Sequence, residues 1–220
     1  MSENSKNMSH NNLPKPQVDY RQYFSRKYNH RVRWMNFWHQ IDEICGLEPQ
    51  EVLEVGKGNG LVSDHLKKMG YPVKTLDIDP EVCPDVVGSI HKLPFVDNEF
   101  DLILAAEVLE HLPFENVPQA VSELKRVSRR FVIITLPYAG SRFLFRLKIP
   151  KIPELIVFLP IPYFWKKHKK TSEHFWEMGK RGFSRGKIRR LFAKCGFKVL
   201  KEKIFHDDFN HIFFVLENVN

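Results

Sequence analysis

The chain has 220 residues, 43% of them apolar, which is an ordinary globular composition and suits one domain with a sizeable core and decorations. No apolar run approaches a membrane span and no signal-peptide core is present, so a cytoplasmic location is expected. Cys45, Cys83 and Cys195 stand singly, which argues against a disulfide framework or a zinc site, and the net charge of +8 falls almost wholly on one segment.

Residues 1–19 are polar, rich in Asn and Ser and without apolar periodicity, and read as a disordered tail; residues 20–220 read as one domain. Aromatics at helical spacing from Tyr20 to Ile44 (Tyr20, Phe24, Trp34, Phe37, Trp38) predict one or two amphipathic helices packed on the edge of a sheet. From there the chain alternates. A strand at Val52–Val55 is followed by a helix over about 60–69 and a strand at Val73–Asp77. A short link closing on Cys83-Pro84 leads to a strand of two residues, Val86-Val87. A strand from Phe100 or Asp101 to Ala105 precedes a helix over about Val117–Ser128, with Pro118 in its first turn. After a strand at Phe131–Leu136 comes an insert of about 138–180, then a helix at about Ser184–Lys194 and two last strands, Phe197–Phe205 and His211–Leu216. Alternating β and α with short links implies a doubly wound α/β fold, a mostly parallel seven-stranded sheet whose last strand runs antiparallel. The N-terminal helices would cap it, and the insert would form a lid.

The stretch Glu54-Val55-Gly56-Lys57-Gly58-Asn59-Gly60 carries the chemistry. A buried strand runs into a triple-glycine turn that opens a helix, and the next strand ends on a carboxylate, Asp77. That is the nucleotide-binding half of a doubly wound sheet. The spacing is G-x-G-x-G, not the dinucleotide G-x-G-x-x-G, and Glu54 precedes it. A pyrophosphate cradle has little use for that carboxylate, whereas a ligand with a cationic amino-acid end does.

Four ordered segments carry a resemblance: Glu54 to Gly60; Leu76-Asp77-Ile78-Asp79-Pro80; Gly88-Ser89-Ile90-His91 through Pro94-Phe95 to Asp101; and Glu107-Val108-Leu109-Glu110-His111-Leu112-Pro113. Together they resemble the class I S-adenosylmethionine-dependent methyltransferases, in the small-substrate, type 11-like branch. The resemblance implies that Gly56, Lys57, Gly58 and Gly60 approach the methionine end of S-adenosylmethionine and that Glu54 holds its ammonium. It implies that Asp77 takes the ribose hydroxyls and Ile78 packs on adenine, with Ser89, Ile90 and Ala106 completing the cofactor wall. Ser89 departs from the Asp that many relatives carry there. The short link after Asp77, with Pro80 and Pro84, departs too.

Methyl transfer from a sulfonium needs alignment first, and a general base only for a poorly acidic oxygen or nitrogen. His111, just beyond the fourth strand, is the candidate base. Glu107-x-x-Glu110-His111 also resembles the metal-binding E-x-x-E-H of small-RNA 2′-O-methyltransferases and of some ubiquinone-pathway enzymes, with His174 as a further ligand. No metal is assigned on spacing alone.

Between Ser141 and Lys170 lie eight basic residues and one acid, Glu154. There the apolar run Leu155–Trp165, broken by Pro160 and Pro162, meets Lys166-Lys167-His168-Lys169-Lys170. An apolar wedge beside lysines suits peripheral contact with an anionic membrane and a small or lipid-linked acceptor. The competing expectations are a lid packed on the N-terminal helices or a second subunit, and contact with RNA. For the whole chain the expectation is methyl transfer to a small or lipid-like acceptor, on oxygen or nitrogen. The alternatives are RNA 2′-O-methylation with a metal, or cofactor binding without turnover. Acceptor identity and oligomeric state are not readable.

Overall fold

The computed structural model describes residues 16–171 and 173–219. Most of the expected disordered tail, residues 1–15, lies outside the described residues.

The sheet contains β1 (Val52–Val55), β2 (Val73–Asp77), β3 (Val86–Val87), β4 (Phe100–Ala106) and β5 (Ser128–Pro137), all parallel. A separate antiparallel hairpin, β6 (Gly140–Leu147) and β7 (Leu155–Pro162), follows β5. The chain then returns through β8 (Phe197–Lys203) and β9 (His211–Asn218), and the seven-stranded order is β3-β2-β1-β4-β5-β9-β8. β9 runs antiparallel to both neighbours, as expected for the last strand.

Helices cover both faces. Leu102 and Leu104 of β4 meet α1 (Arg31–Cys45) and α2 (Leu61–Lys68), while Ile103 and Ala105 meet α3 (Val117–Val127) and α4 (Arg185–Lys194). A parallel strand buried on both sides reads as a near-continuous apolar run, as Leu102–Ala106 of β4 does. In α3, Val117, Ala120, Val121, Leu124 and Val127 form one buried stripe, and Pro118 sits where its missing N–H costs nothing. Truncating Leu124 there would cost about 2–5 kcal/mol.

Of the one or two helices expected between Tyr20 and Ile44, one forms, and two further expectations are corrected. Tyr20–Phe24 is a 3-10 turn and α1 begins at Arg31. The face α1 buries is also not the aromatic one: Phe24, Trp34 and Trp38 are exposed, and Asn36, His39 and Gln40 are buried with Phe37 and Ile44. Polar partners on the β8–β9 loop explain this. Asn36 donates to Asp208 at 2.8 Å, and His39 Nε2 lies 2.8 Å from Asp207. Finally, Pro160 and Pro162 do not break the apolar run. Tyr163 N–H donates to Ala139 O, so alternation turns the two proline nitrogens to the outer edge of β7, where no donor is needed.

The link between β2 and β3 holds a 3-10 turn, Pro80–Val82, in place of a longer helix, as Pro80 and Pro84 suggested.

Candidate active site

β1 lies between β2 and β4, so the chain departs to opposite sides of it and a crevice opens at the carboxyl ends of these strands. A cavity of about 590 Å³ occupies that position. Of the expected site residues, Glu54, Gly56, Lys57, Gly58, Asp77, Ile78, Ser89, Ile90, Ala106 and His111 all line it. Gly60 does not; it sits in the left-handed region at the start of α2.

The turn is held at three points. Gly56 donates its N–H to Leu76 O at 2.8 Å, and Gly58 donates to Asp77 Oδ2 at 3.2 Å. Lys57 Nζ donates to the carbonyls of Val82 (2.9 Å) and Cys83 (2.7 Å), so its ammonium ties the turn to the β2–β3 link. Gly56 has φ +85°, and a Cβ there would lie 2.5 Å from Val108 Cγ2. Glycine is required on both counts.

Glu54 is buried, and its Oε2 has no partner among the described residues. Burial pushes its carboxyl up to about 8, against the pull of Ser63 and Lys57. Asp77 is raised too, mainly by burial, against backbone N–H donors including Asp79 (2.9 Å to Oδ1). Both residues line the cavity, and a carboxylate oxygen can accept more than one hydrogen bond. Ser89 Oγ accepts from His91 N–H at 3.3 Å, and Ile90 is buried beside it.

The other end of the cavity is built by the loop after β4. Glu107 sits at φ +55°, with Thr135 Oγ1 donating to its Oε1 at 3.0 Å and His211 Nε2 3.5 Å from its Oε2. Glu110 is fully buried, with no hydrogen-bond partner for either carboxyl oxygen among the described residues, and burial, then the neighbouring Glu107, raises its pKa well above the usual carboxylate range. His111 Nδ1 lies 2.7 Å from the carbonyl of Glu173. A carbonyl only accepts, so Nδ1 carries the proton and Nε2 keeps a free lone pair. Burial lowers the His111 pKa, holding the ring neutral near pH 7. His174 Nε2 lies 4.0 Å from Glu110 Oε1, and one ligand atom each from Glu110, His111 and His174 lie within 4.8 Å of one another.

Sequence reasoning missed the cavity's N-terminal wall. Gln17 Nε2 donates to His111 O at 2.8 Å, and Tyr23, Tyr28 and Arg33 line the cavity. Tyr23 stands 3.7 Å from where a Cβ on Gly58 would be; burial, then the charge of Asp77, raises its phenol pKa. Arg33 stacks 4.8 Å over the Tyr28 ring, and its buried Nε lacks a partner among the described residues. The aromatic spacing pointed to this segment, but as a packing face.

Comparison with known proteins agrees with the geometry. Residues 53–134 match the family model described as a methyltransferase domain. An uncharacterised methyltransferase of Schizosaccharomyces pombe is 36% identical over 88 residues, 40% of this chain and 28% of that protein. A ubiquinone biosynthesis O-methyltransferase of Pseudomonas fluorescens is 30% identical over 100 residues, 38% of this chain and 40% of that protein. The chain thus matches less than half the length of either relative. A SAM-dependent methyltransferase from Aquifex aeolicus superposes over 92% of this chain and 100% of its own with a TM-score of 0.59, at 17% identity, a likeness of fold. Motif order, sheet order and the matched segment converge: residues 53–134 carry a methyltransferase domain of the type 11 kind, set in a fold shared with solved S-adenosylmethionine-dependent methyltransferases.

Proposed function

We propose that the chain transfers a methyl group from S-adenosylmethionine to a small or lipid-like acceptor, on oxygen or nitrogen. The observation that carries this reading is the unpartnered, buried Oε2 of Glu54 beside the glycine turn. A buried acceptor without a donor costs about 1–3 kcal/mol unless a ligand supplies one, and an ammonium group does so. Asp77, at the end of β2, would accept from the ribose, and Ile78 and Ile90 would flank the base. When bound, the cofactor supplies an electrophilic methyl group. What remains for the chain is to align a nucleophile and remove its proton.

His111 fits that second task. Its proton is fixed on Nδ1 by Glu173, which leaves Nε2 as the base, and burial keeps it neutral. The Glu110 carboxyl and Arg33 Nε, without hydrogen-bond partners among the described residues, would offer polar contacts to an acceptor. One relative is a ubiquinone biosynthesis O-methyltransferase, which supports oxygen as one acceptor atom. Incubating the protein and isotopically labelled S-adenosylmethionine with small-molecule and lipid fractions of a cell extract tests the reading. Transfer of the label to a compound heavier by one methyl group is expected; label confined to RNA, or none transferred, would refute it.

The convergence of Glu110, His111 and His174 favours one second reading, a metal-assisted transfer of the RNA 2′-O type, with His111 Nε2 as a ligand in place of a base. Exhaustive chelation separates the two, because the base reading expects the transfer rate to be unchanged.

A further inference from the structure

The hairpin β6–β7 has two unlike faces. Its register pairs Phe143 with Leu159, Phe145 with Val157, and Leu147 with Leu155, and Ile161 lies opposite Ser141. In an antiparallel pair these side chains all project from one face. All seven apolar members are exposed, Phe143 at 54% and Leu159 at 58%. The other face leaves Leu144 and Ile156 exposed and is docked on the domain at its base. Phe158 packs on the main core, Arg142 stacks 3.1 Å over the Phe209 ring, and Arg146 donates to His206 Nε2 at 2.9 Å. The apolar face is thereby held pointing away from the body. Phe164 and Trp165 extend it, and both are exposed.

The charge around this face has one sign. Lys148 and Lys151 sit at the hairpin's turn, and Lys166, Lys167, Lys169 and Lys170 follow its base; all are exposed. The one acid of the segment, Glu154, is paired with Arg146 at 3.1 Å. We propose that this face is a docking surface for an anionic lipid bilayer, the apolar side chains entering the headgroup–acyl boundary and the lysines meeting the anionic headgroups. A flat apolar surface rimmed by cations matches that chemistry on both counts. A second copy of the chain matches it less well, because apposing two such faces brings the lysine rims together. RNA would satisfy the lysines and leave the apolar side chains in water.

The placement also links the surface to the cavity. The lysine run leads within a few residues to Glu173, His174 and Phe175, which line the cavity, and His168 Nε2 lies 3.1 Å from His174 O. A membrane-resident acceptor would reach the cavity from the docked side. The docking itself does not depend on the methyl-transfer reading.

The test is flotation of the full chain with vesicles of phosphatidylglycerol and phosphatidylcholine in equal parts, against phosphatidylcholine alone, at low and high salt. Binding at low salt should be about tenfold or more stronger on the anionic vesicles and weaken with salt. Phe143→Gln with Leu159→Gln should reduce it by about tenfold or more. Replacing Lys166, Lys167, Lys169 and Lys170 by Gln should remove the preference for anionic vesicles. Both variants change exposed side chains, so melting temperature and S-adenosylmethionine affinity should stay at parental values, which keeps this result separate from the cofactor reading. No flotation with anionic vesicles overturns the proposal. So does parental binding by the paired Gln variant, a dimer dissolved by that variant in a chain that ignores vesicles, or retention by RNA alone.

Discussion

Oδ2 of Asp77 accepts the N–H of Gly58 at 3.2 Å while Oδ1 accepts the N–H of Asp79 at 2.9 Å. One carboxylate thus fixes the glycine turn against the end of β2 and still faces the cavity. Asp77→Asn can offer an acceptor to one of these donors only, and its amide nitrogen would oppose the other. The variant should lose about 1–2 kcal/mol of stability and bind S-adenosylmethionine at least about tenfold more weakly. Chemical denaturation and calorimetry measure the two effects separately.

Glu54 gives a pH signature. Its carboxyl, raised to about 8, is protonated in the free protein at neutral pH and would ionise against a bound ammonium group. Binding should therefore release a proton, and affinity should rise by up to about tenfold per pH unit from pH 6 toward 8, levelling as the ligand's own amine loses its proton near 8. Stability moves the other way. The native state holds this proton to higher pH than the unfolded chain, so stability is greatest below the ordinary carboxylate range and falls as pH rises through about 8. Calorimetry in buffers of differing ionisation enthalpy counts the proton, and Glu54→Gln should remove both dependences.

Gly56 tests whether the turn's backbone is under the constraint its φ of +85° implies. Gly56→Ala adds a left-handed alanine and a contact with Val108, together about 2–4 kcal/mol of destabilisation. Adding Val108→Ala should recover the steric part and leave the conformational part. Full recovery would mean that φ costs nothing there.

His111→Gln separates base from brace. With Nε2 as the base, methyl incorporation should fall by about 10²–10⁴-fold while cofactor affinity stays within about twofold. In the parent, the rate should rise with pH and level off below the ordinary histidine value, because burial lowers the His111 pKa. A variant that keeps its rate but melts earlier would assign His111 to bracing the loop through Glu173.

How far the site was legible follows from range along the chain. The strand, glycine turn, helix and Asp77 lie within one local unit, where period and turn chemistry speak directly, and α3 announced its buried stripe by spacing. The wall made by Gln17, Tyr23 and Tyr28 follows no period, because it is an irregular segment and a 3-10 turn whose residues meet the cavity singly. The polar face of α1 was hidden for another reason. Asn36 is a plausible core residue only once Asp208, 172 positions away, is known to receive its amide. The hairpin was obscured by Pro160 and Pro162, which are admissible in β7 because their nitrogens face its open edge. The two-faced character that makes it a docking surface depends on register, which single residues do not declare.

The most direct test of the central claim is titration of the 220-residue chain with S-adenosylmethionine by calorimetry near pH 7.5, with Asp77→Ala as control. Binding of one cofactor per chain is predicted, with loss of about tenfold or more in affinity in the control. Absence of binding to protein that melts cooperatively, or equal binding by the control, would contradict the assignment of this cavity to the cofactor.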